Sequence, residues 1–371
     1  MKFVIEKSDF MRVLQRIQGI VEKRNTMPIL SNVSIEALSK GTVNITATDL
    51  EVFIKDAVAA RVAKEGTVTV NARKLFEIVK EMPDETIDVE VNKDSKVTIK
   101  AGKARFNVMG LPAKDFPVFP SMEELKLEKI EKGALREMIE KTAFAVSTDE
   151  TRYNINGFLL EKDATCIKMV TTDGHRLALI EKKDVESISG KDGLLSVLLP
   201  RKGVMEFKKL IDENDEGQFF LGISQKNAVM KKGDTIINIR LLEGEFPDYK
   251  KVIPKDNNNS LTADKAALLS SLKRVTILSA DKIKGVRFKF SANNLVLSAS
   301  SPDIGDATEE MDIEYSGDPI EMAFNAKYMI DMLDAVNDEK VTIELKDSLS
   351  PGIIRPAGST EYTYVIMPMR L

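Results

Sequence analysis

The feature that most constrains this chain is a repeat of whole-domain length. Asn44-Ile45-Thr46-Ala47-Thr48-Asp49, Lys168-Met169-Val170-Thr171-Thr172-Asp173 and Val296-Leu297-Ser298-Ala299-Ser300-Ser301-Pro302-Asp303 each read as a strand that ends in small hydroxylated residues and an aspartate. The aspartates at 49, 173 and 303 stand 124 and 130 residues apart, a period typical of domains and far longer than a solenoid repeat. A second marker, Gly110-Leu111-Pro112-Ala113-Lys114-Asp115-Phe116-Pro117, returns as Leu242-Glu243-Gly244-Glu245-Phe246-Pro247-Asp248. Proline ends both ladders and helices, so these stretches read as domain exits. The chain of 371 residues is therefore expected to form three domains, 1–122, 123–253 and 254–371.

Within each domain the pattern is strand, amphipathic helix, alternating strands, second helix and further strands, an α+β order. The first helix is expected to start at an N-cap Ser8, to bury Phe10, Leu14, Ile17 and Val21, and to turn Arg12, Arg16 and Lys23 outward. The second, capped by Asn71, buries Leu75, Phe76, Val79 and Met82 and exposes Arg73 and Lys80. A third runs from Gly133 to Ser147 and carries Arg136 and Lys141. Pro200 opens the fourth, which buries Val204, Phe207 and Ile211 and leaves Arg201, Lys202, Lys208 and Lys209 for solvent. The fifth follows Asp264 and offers Lys273 and Arg274, whereas the sixth, from Asn325 to Val336, mixes Lys327 with Asp331 and Asp334.

Five of six helices thus set Lys or Arg opposite an apolar stripe. One such face is ordinarily a solvated surface; its repetition favours a common surface for a phosphate backbone, which needs positive charge and no base-specific geometry. The stripes hold no aromatic residues and the chain has no tryptophan, so duplex is favoured over single strands, which are gripped by stacking. Net charge is −4, unevenly spread: 19 Lys/Arg against 16 Asp/Glu in residues 1–122, 22 against 24 in 123–253, and 13 against 18 in 254–371. A positive first domain and a negative last one suit end-to-end pairing of two chains.

Little in the chain suggests catalysis. There is no Gly-rich phosphate loop, no Cys-x-x-Cys and no His-x-x-x-His pair. The one histidine, His175, sits in the turn Thr172-Asp173-Gly174-His175-Arg176-Leu177 with no second histidine to work with, so a binding or structural turn is expected and no catalytic, metal or cofactor residue is assigned. The one cysteine, Cys166, lies in an apolar run and reads as a buried thiol. The opening Met1-Lys2-Phe3-Val4-Ile5-Glu6-Lys7 alternates like a strand and lacks an apolar leader core, so a cytoplasmic protein is expected.

Thr172-Asp173-Gly174-His175-Arg176-Leu177, Phe246-Pro247-Asp248-Tyr249-Lys250-Lys251-Val252-Ile253-Pro254 and the terminal Met367-Pro368-Met369-Arg370-Leu371, with Lys2-Phe3, Arg24, Pro28-Ile29-Leu30, Thr48-Asp49-Leu50-Glu51 and Ala72-Arg73-Lys74, make the chain resemble the bacterial sliding clamps, the β subunits of the replicative DNA polymerase. The resemblance spans essentially the whole length. It implies three clamp domains, each with two helices packed on antiparallel sheets, and a homodimeric ring with helices inside and strands outside. The ring would hold double-stranded DNA by topology, tether the polymerase catalytic subunit, accept a clamp loader and other clamp-binding proteins, and make or break no bond itself.

Residue by residue, the resemblance implies a partner pocket with an apolar floor of Ile155, Leu177, Pro247, Leu349, Val365, Ile366, Met367, Pro368 and Met369. Thr172, Gly174, His175 and Arg176 shape its rim, and Arg370, Asn325 and Tyr328 adjoin it. It implies a dimer contact in which Phe106 and Val108 meet Ile277 and Leu278, while Lys74, Lys103 and Arg105 face Asp303, Asp306 and Glu309. For DNA it points to Arg24 and Arg73, then Arg12, Arg16, Lys141, Arg201, Lys202 and Lys273. Pro351 and the pair Lys250 and Lys251, which stands where arginines are familiar, depart from the family pattern. Read from the residues alone, a monomeric duplex binder, an enzyme using the His175 turn and a purely structural scaffold remain open.

Overall fold

The structure, a computed structural model, describes residues 1–21, 27–83, 85–122, 125–163, 165–183, 194–213, 217–279 and 284–370. Among them are six α-helices: α1 (Lys7–Ile17), α2 (Ala72–Lys80), α3 (Lys132–Glu140), α4 (Arg201–Asp212), α5 (Lys265–Val275) and α6 (Ala326–Ala335). They recur two per repeat, as the sequence pattern requires. The described residues gather into two compact units, the first holding residues 1–132 and 202–241, the second holding 133–183, 194–201 and 242–370.

The first unit contains a five-stranded sheet in the order Arg61–Lys64, Lys2–Glu6, Thr86–Val91, Lys96–Ala101, Ala104–Met109. Its eight-stranded sheet runs Glu128–Ile130, Phe219–Ile223, Asn227–Lys232, Thr235–Arg240, Val52–Ala59, Thr42–Thr48, Asn32–Leu38, Gly66–Asn71. At the centre of that sheet Val52 pairs with Ile239 and Phe53 with Asn238, so hydrogen bonds knit the first repeat to the second. Strands such as Thr86–Val91 (T-I-D-V-E-V) bury alternate residues, Ile87 and Val89, as a half-buried strand must. Helix α1 lays Phe10, Val13, Leu14 and Ile17 into this core, and α2 lays Leu75 and Val79.

The second unit repeats the arrangement. An eight-stranded sheet runs Leu195–Pro200, Gly157–Lys162, Cys166–Thr172, Arg176–Lys183, Tyr362–Ile366, Gly352–Pro356, Lys340–Leu345, Asn259–Asp264, and a four-stranded sheet runs Gly305–Asp312, Asn294–Ser301, Gly285–Ser291, Ile320–Asn325. Here Arg176 pairs with Ile366 and Leu177 with Val365, the same kind of junction between the second and third repeats. All the ladders of both units are antiparallel. Cys166 is buried and donates to Asp163 Oδ2 at 3.3 Å.

Several helix expectations are corrected. Helix α1 starts at Lys7 behind Glu6, which offers no side-chain cap, so Ser8 is not an N-cap; the helix ends at Ile17, and Val21 lies beyond it and is only half-buried. Asn71 does cap α2, accepting from the Lys74 amide, but Phe76 is half-buried. The third helix stops at Glu140, and a 3-10 turn at Ala143–Ala145 replaces its expected last turns. Thr142 Oγ1 donates back to the Met138 carbonyl, a local bond that competes with continued helix. Pro200 is the last residue of a strand and α4 opens at Arg201.

The expected outward cations divide sharply. Arg16 is enclosed: it donates to both Glu213 oxygens at 2.6 Å, to Asp56 Oδ2 at 2.6 Å and to Thr235 Oγ1 at 2.7 Å. Lys202 pairs with Asp49 and donates to the Ile20 carbonyl at 3.3 Å, and Lys208 pairs with Asp212 at 2.6 Å. Lys141 is buried, pairs with Glu137 at 3.6 Å and stands 5.7 Å from the centre of the Tyr362 ring. By contrast Arg12, Arg73, Arg201 and Lys273 are exposed. Arg24 and Lys23 lie outside the described residues.

Burial pushes the Glu213 carboxyl up, but hydrogen bonds from Arg16 and Lys232 outweigh it and hold the group below the ordinary carboxylate range. A depressed folded-state pKa stabilises fully above the unfolded value and is lost as pH falls through the folded one. Arg16→Ala is therefore expected to cost about 2–3 kcal/mol at neutral pH, since it leaves Glu213 with Lys232 and takes the Arg16 charge from the buried Asp56. The deficit should shrink as the pH is lowered below about 4, measured as the urea midpoint of wild type and variant across pH.

Candidate functional site

Thr172 ends the strand Cys166–Thr172, and the chain reverses through Asp173, Gly174 and His175 into the strand Arg176–Lys183. The reversal is held by the side chains the sequence singled out. Asp173 Oδ1 accepts from the amides of His175 at 2.9 Å and Arg176 at 3.1 Å, and Thr172 Oγ1 accepts from the Gly174 amide at 3.0 Å, an Asx turn reinforced by a hydroxyl. Gly174 takes φ +90°, a left-handed conformation that costs glycine nothing, and a Cβ there would stand 2.9 Å from the Arg152 guanidinium.

Against this turn lies a cavity of about 200 Å³ lined by Arg152, Ile155, Thr172, Gly174, Arg176, Leu177, Pro247, Tyr249, Val252, Val365 and Met367. Its floor is continuous with the buried cluster of Leu159, Val170, Leu177, Leu179, Leu198, Tyr249, Ile353 and Val365. Val365 and Met367 face it because they lie two apart along one extended segment. Ile366, between them, is fully buried and does not line it. Of the expected residues, Ile155, Thr172, Gly174, Arg176, Leu177, Pro247, Val365 and Met367 come together here.

The others take different places. His175 is exposed and accepts the Met367 amide on its carbonyl, and Met369 donates its amide to Ala323. Leu349 is exposed in the turn after the strand Lys340–Leu345, and Pro368 and Arg370 lie in the terminal segment outside the lining. Asn325 caps α6 by accepting the Lys327 amide at 3.0 Å. Arg152, Tyr249 and Val252 were missed by sequence reasoning. Tyr249 and Val252 belong to the quoted Phe-Pro-Asp-Tyr stretch and could have been included; Arg152, one of many basic residues, carries no sequence signal.

Arg176 ties the site to its surroundings. Its guanidinium donates to Asp173 at 2.9 Å, to Asp331 of α6 at 2.8 Å and to the Phe144 carbonyl, and lies 4.3 Å from the centre of the Tyr328 ring. Tyr328, itself half-buried, thus reaches the site through a cation–π contact with the buried Arg176. Burial, followed by the charge of Asp173, raises the Tyr328 phenol. Burial and a 2.6 Å hydrogen bond to Glu161 likewise push the Tyr249 phenol up, keeping it a donor at neutral pH. Among the described residues no three His, Cys, Asp or Glu side chains are grouped so as to hold a metal ion, and no helix is long and apolar enough to cross a membrane.

Residues 1–120, 129–248 and 250–370 match, in turn, the N-terminal, central and C-terminal domains of the DNA polymerase III beta subunit. The chain belongs to the bacterial sliding clamp family. It is 36% identical to the beta sliding clamp of Pseudomonas putida over the full length of both chains. It superposes with a TM-score of 0.93 on the crystal structure of the DNA polymerase III subunit beta from Pseudomonas aeruginosa, at 35% identity and full coverage of both chains. A sliding clamp of the same organism solved bound to griselimycin gives a TM-score of 0.91, also at 35% identity and full coverage of both. The three clamp domains are α+β with antiparallel sheets, and the chain is a sliding clamp of DNA replication, a processivity factor of the polymerase.

Arg176→Ala should leave Asp173 with only its backbone amides and Asp331 with only Lys327, and lower stability by about 3 kcal/mol. Arg176→Lys, which keeps the charge but loses the fork, should recover less than half of that. Urea unfolding of the two variants beside wild type checks the ratio.

Proposed function

We propose that two copies of this clamp close into a ring around duplex DNA and that the cavity beside the Thr172–Arg176 turn takes short apolar segments of the polymerase catalytic subunit, the clamp loader and other replication and repair proteins in turn. The observation that carries the reading is the cavity's composition. Aliphatic side chains and a methionine make an adaptable floor, and few polar groups demand one partner sequence. The clamp itself is non-catalytic and cytoplasmic in this reading, and it acts with the polymerase by raising its effective concentration at the primer end. Domain boundaries near 122 and 253 follow from the proline-rich exits.

For closure, the outermost strand Ala104–Met109 offers Phe106, which is exposed, Val108 and Arg105, with Lys103 just before it, and the exposed Lys74 of α2 is the remaining cation of the set. The outermost strand Gly305–Asp312 offers Asp306, with Asp303 before it, and the exposed Ile277 and half-buried Leu278 precede that sheet. Two unpaired edges of opposite charge favour each other. Glu309 fits this set least, because Arg274 and Ser271 already hold it.

For DNA the structure revises the weighting. Arg12 and Arg73 are held by exposed intrahelical pairs to Asp9 and Glu77, both 3.1 Å, and Lys273 by an exposed 3.4 Å pair to Asp334. Pairs of that kind exchange cheaply for phosphate. Arg12, Arg73, Arg201 and Lys273 therefore form the proposed contact set together with Arg24. Arg16, Lys141 and Lys202 are already committed to intramolecular partners and contribute least.

Loaded onto nicked circular DNA in moderate salt, the protein should stay bound and be lost when the circle is linearised; equal loss from both would leave only a basic-surface binder. Arg73→Ala should also lower the slope of log affinity for duplex against log salt by about 0.9, the value of one phosphate contact. Arg16→Ala should leave that slope unchanged, as read by fluorescence anisotropy across a salt series.

A further inference from the structure

The first unit contains the turn of the partner pocket a second time. Asp49 Oδ1 accepts from the amides of Glu51 at 3.0 Å and Val52 at 2.7 Å, and Thr48 Oγ1 accepts from the Leu50 amide at 2.9 Å. This is the bonding of Asp173 and Thr172, atom for atom, and Leu50 sits at φ +79° where Gly174 sits at +90°. The strands that follow pair in the same register: Val52 with Ile239 and Phe53 with Asn238, as Arg176 with Ile366 and Leu177 with Val365. Leu30, like Ile155, is buried two residues before a strand. Phe116-Pro117-Val118-Phe119 repeats Phe246-Pro247-Asp248-Tyr249.

What differs is the size and polarity of the groups at the pocket positions. Leucine replaces Gly174, phenylalanine replaces Leu177 and asparagine replaces Val365. The Phe53 ring is 8% exposed and meets the edge of Phe119, centroids 5.9 Å apart. Leu50 holds a left-handed backbone that leucine rarely adopts and is 44% exposed, so at the mouth of the copy it adds a side chain where Gly174 has none. Strand alternation puts Asn238 on the face of Val365. It is 1% exposed, and its Oδ1 has no hydrogen-bond partner among the described residues, a buried polar atom in a place that the open pocket gives to a valine.

We propose that the first unit carries a second, closed copy of the apolar pocket, and that Leu50 and Phe53 are the residues that limit each chain to one bound partner segment. The inference rests on the pocket reading above, and it adds the stoichiometry and the residues that set it. Opening the copy needs small changes: glycine at 50 relieves the left-handed leucine, leucine at 53 restores the pocket's own residue, and valine at 238 removes the orphaned amide.

The probe is griselimycin, with which the Pseudomonas aeruginosa relative was solved, and the readout is molecules bound per chain by native mass spectrometry. Wild type should carry one, Gly174→Leu none, and Leu50→Gly/Phe53→Leu/Asn238→Val two. A triple variant that folds, judged by its circular dichroism and its retention on circular DNA, yet carries one molecule overturns the proposal. So does wild type carrying two where Gly174→Leu carries one, since the first copy would then be open already. If the triple variant does not fold, Leu50→Gly/Phe53→Leu, which leaves Asn238 in place, decides: a second, weaker occupancy supports the proposal and its absence at saturating probe overturns it. No binding to wild type would instead remove the pocket reading itself, and with it the basis of the inference.

Discussion

Everything in each unit depends on one kind of junction, the antiparallel pairing of a strand that leaves an Asx turn with a strand from the following repeat. Val52–Ala59 meets Thr235–Arg240 in the first unit, and Arg176–Lys183 meets Tyr362–Ile366 in the second. Backbone hydrogen bonds of this kind leave no unpaired edge where two repeats meet and turn two half-sheets into one sheet of eight. The partner cavity is a by-product of the junction. The turn supplies its mouth, the incoming strand supplies Val365, the strand's extension supplies Met367, and the proline-rich exit segment supplies Pro247, Tyr249 and Val252.

Charge inside each unit is organised around a guanidinium. Arg16 gathers Glu213, Asp56 and Thr235 in the first, and Arg176 gathers Asp173, Asp331 and the Phe144 carbonyl in the second. Arginine suits this task because its planar fork serves several acceptors at once and cannot lose its proton. The same chemistry that makes an arginine attractive for a phosphate backbone removes it from that role once carboxylates enclose it. The division between enclosed Arg16 and exposed Arg12, one helical turn apart on α1, shows why a basic stripe read along a helix overstates a DNA-facing surface.

The two junctions also show how a repeat can keep a framework and change its use. Hydrogen bonds at Asp49 and Asp173 are identical in kind because they involve the backbone and one side chain each. The walls around them involve side chains alone, and there glycine, leucine and valine in one copy stand against leucine, phenylalanine and asparagine in the other. A backbone framework thus persists while exclusion of a ligand needs only a few side chains.

By itself the sequence determined the repeat, the α+β order within it, the capping of α2 by Asn71, the buried Cys166 and, through whole-length resemblance, the family. These are local or periodic signals: a cap needs its side chain two or three residues from an amide, and a buried stripe needs only spacing. Tertiary structure alone decided that Lys141 is buried, that Arg16 and Lys202 are spent on Glu213, Asp56 and Asp49, that Ile366 turns away while Val365 and Met367 line the cavity, and that Arg152 reaches over Gly174. Each depends on a residue far off in the chain, 197 positions away for Arg16 and Glu213. A linear pattern records which residues can carry charge but holds no information on which distant carboxylate will neutralise it.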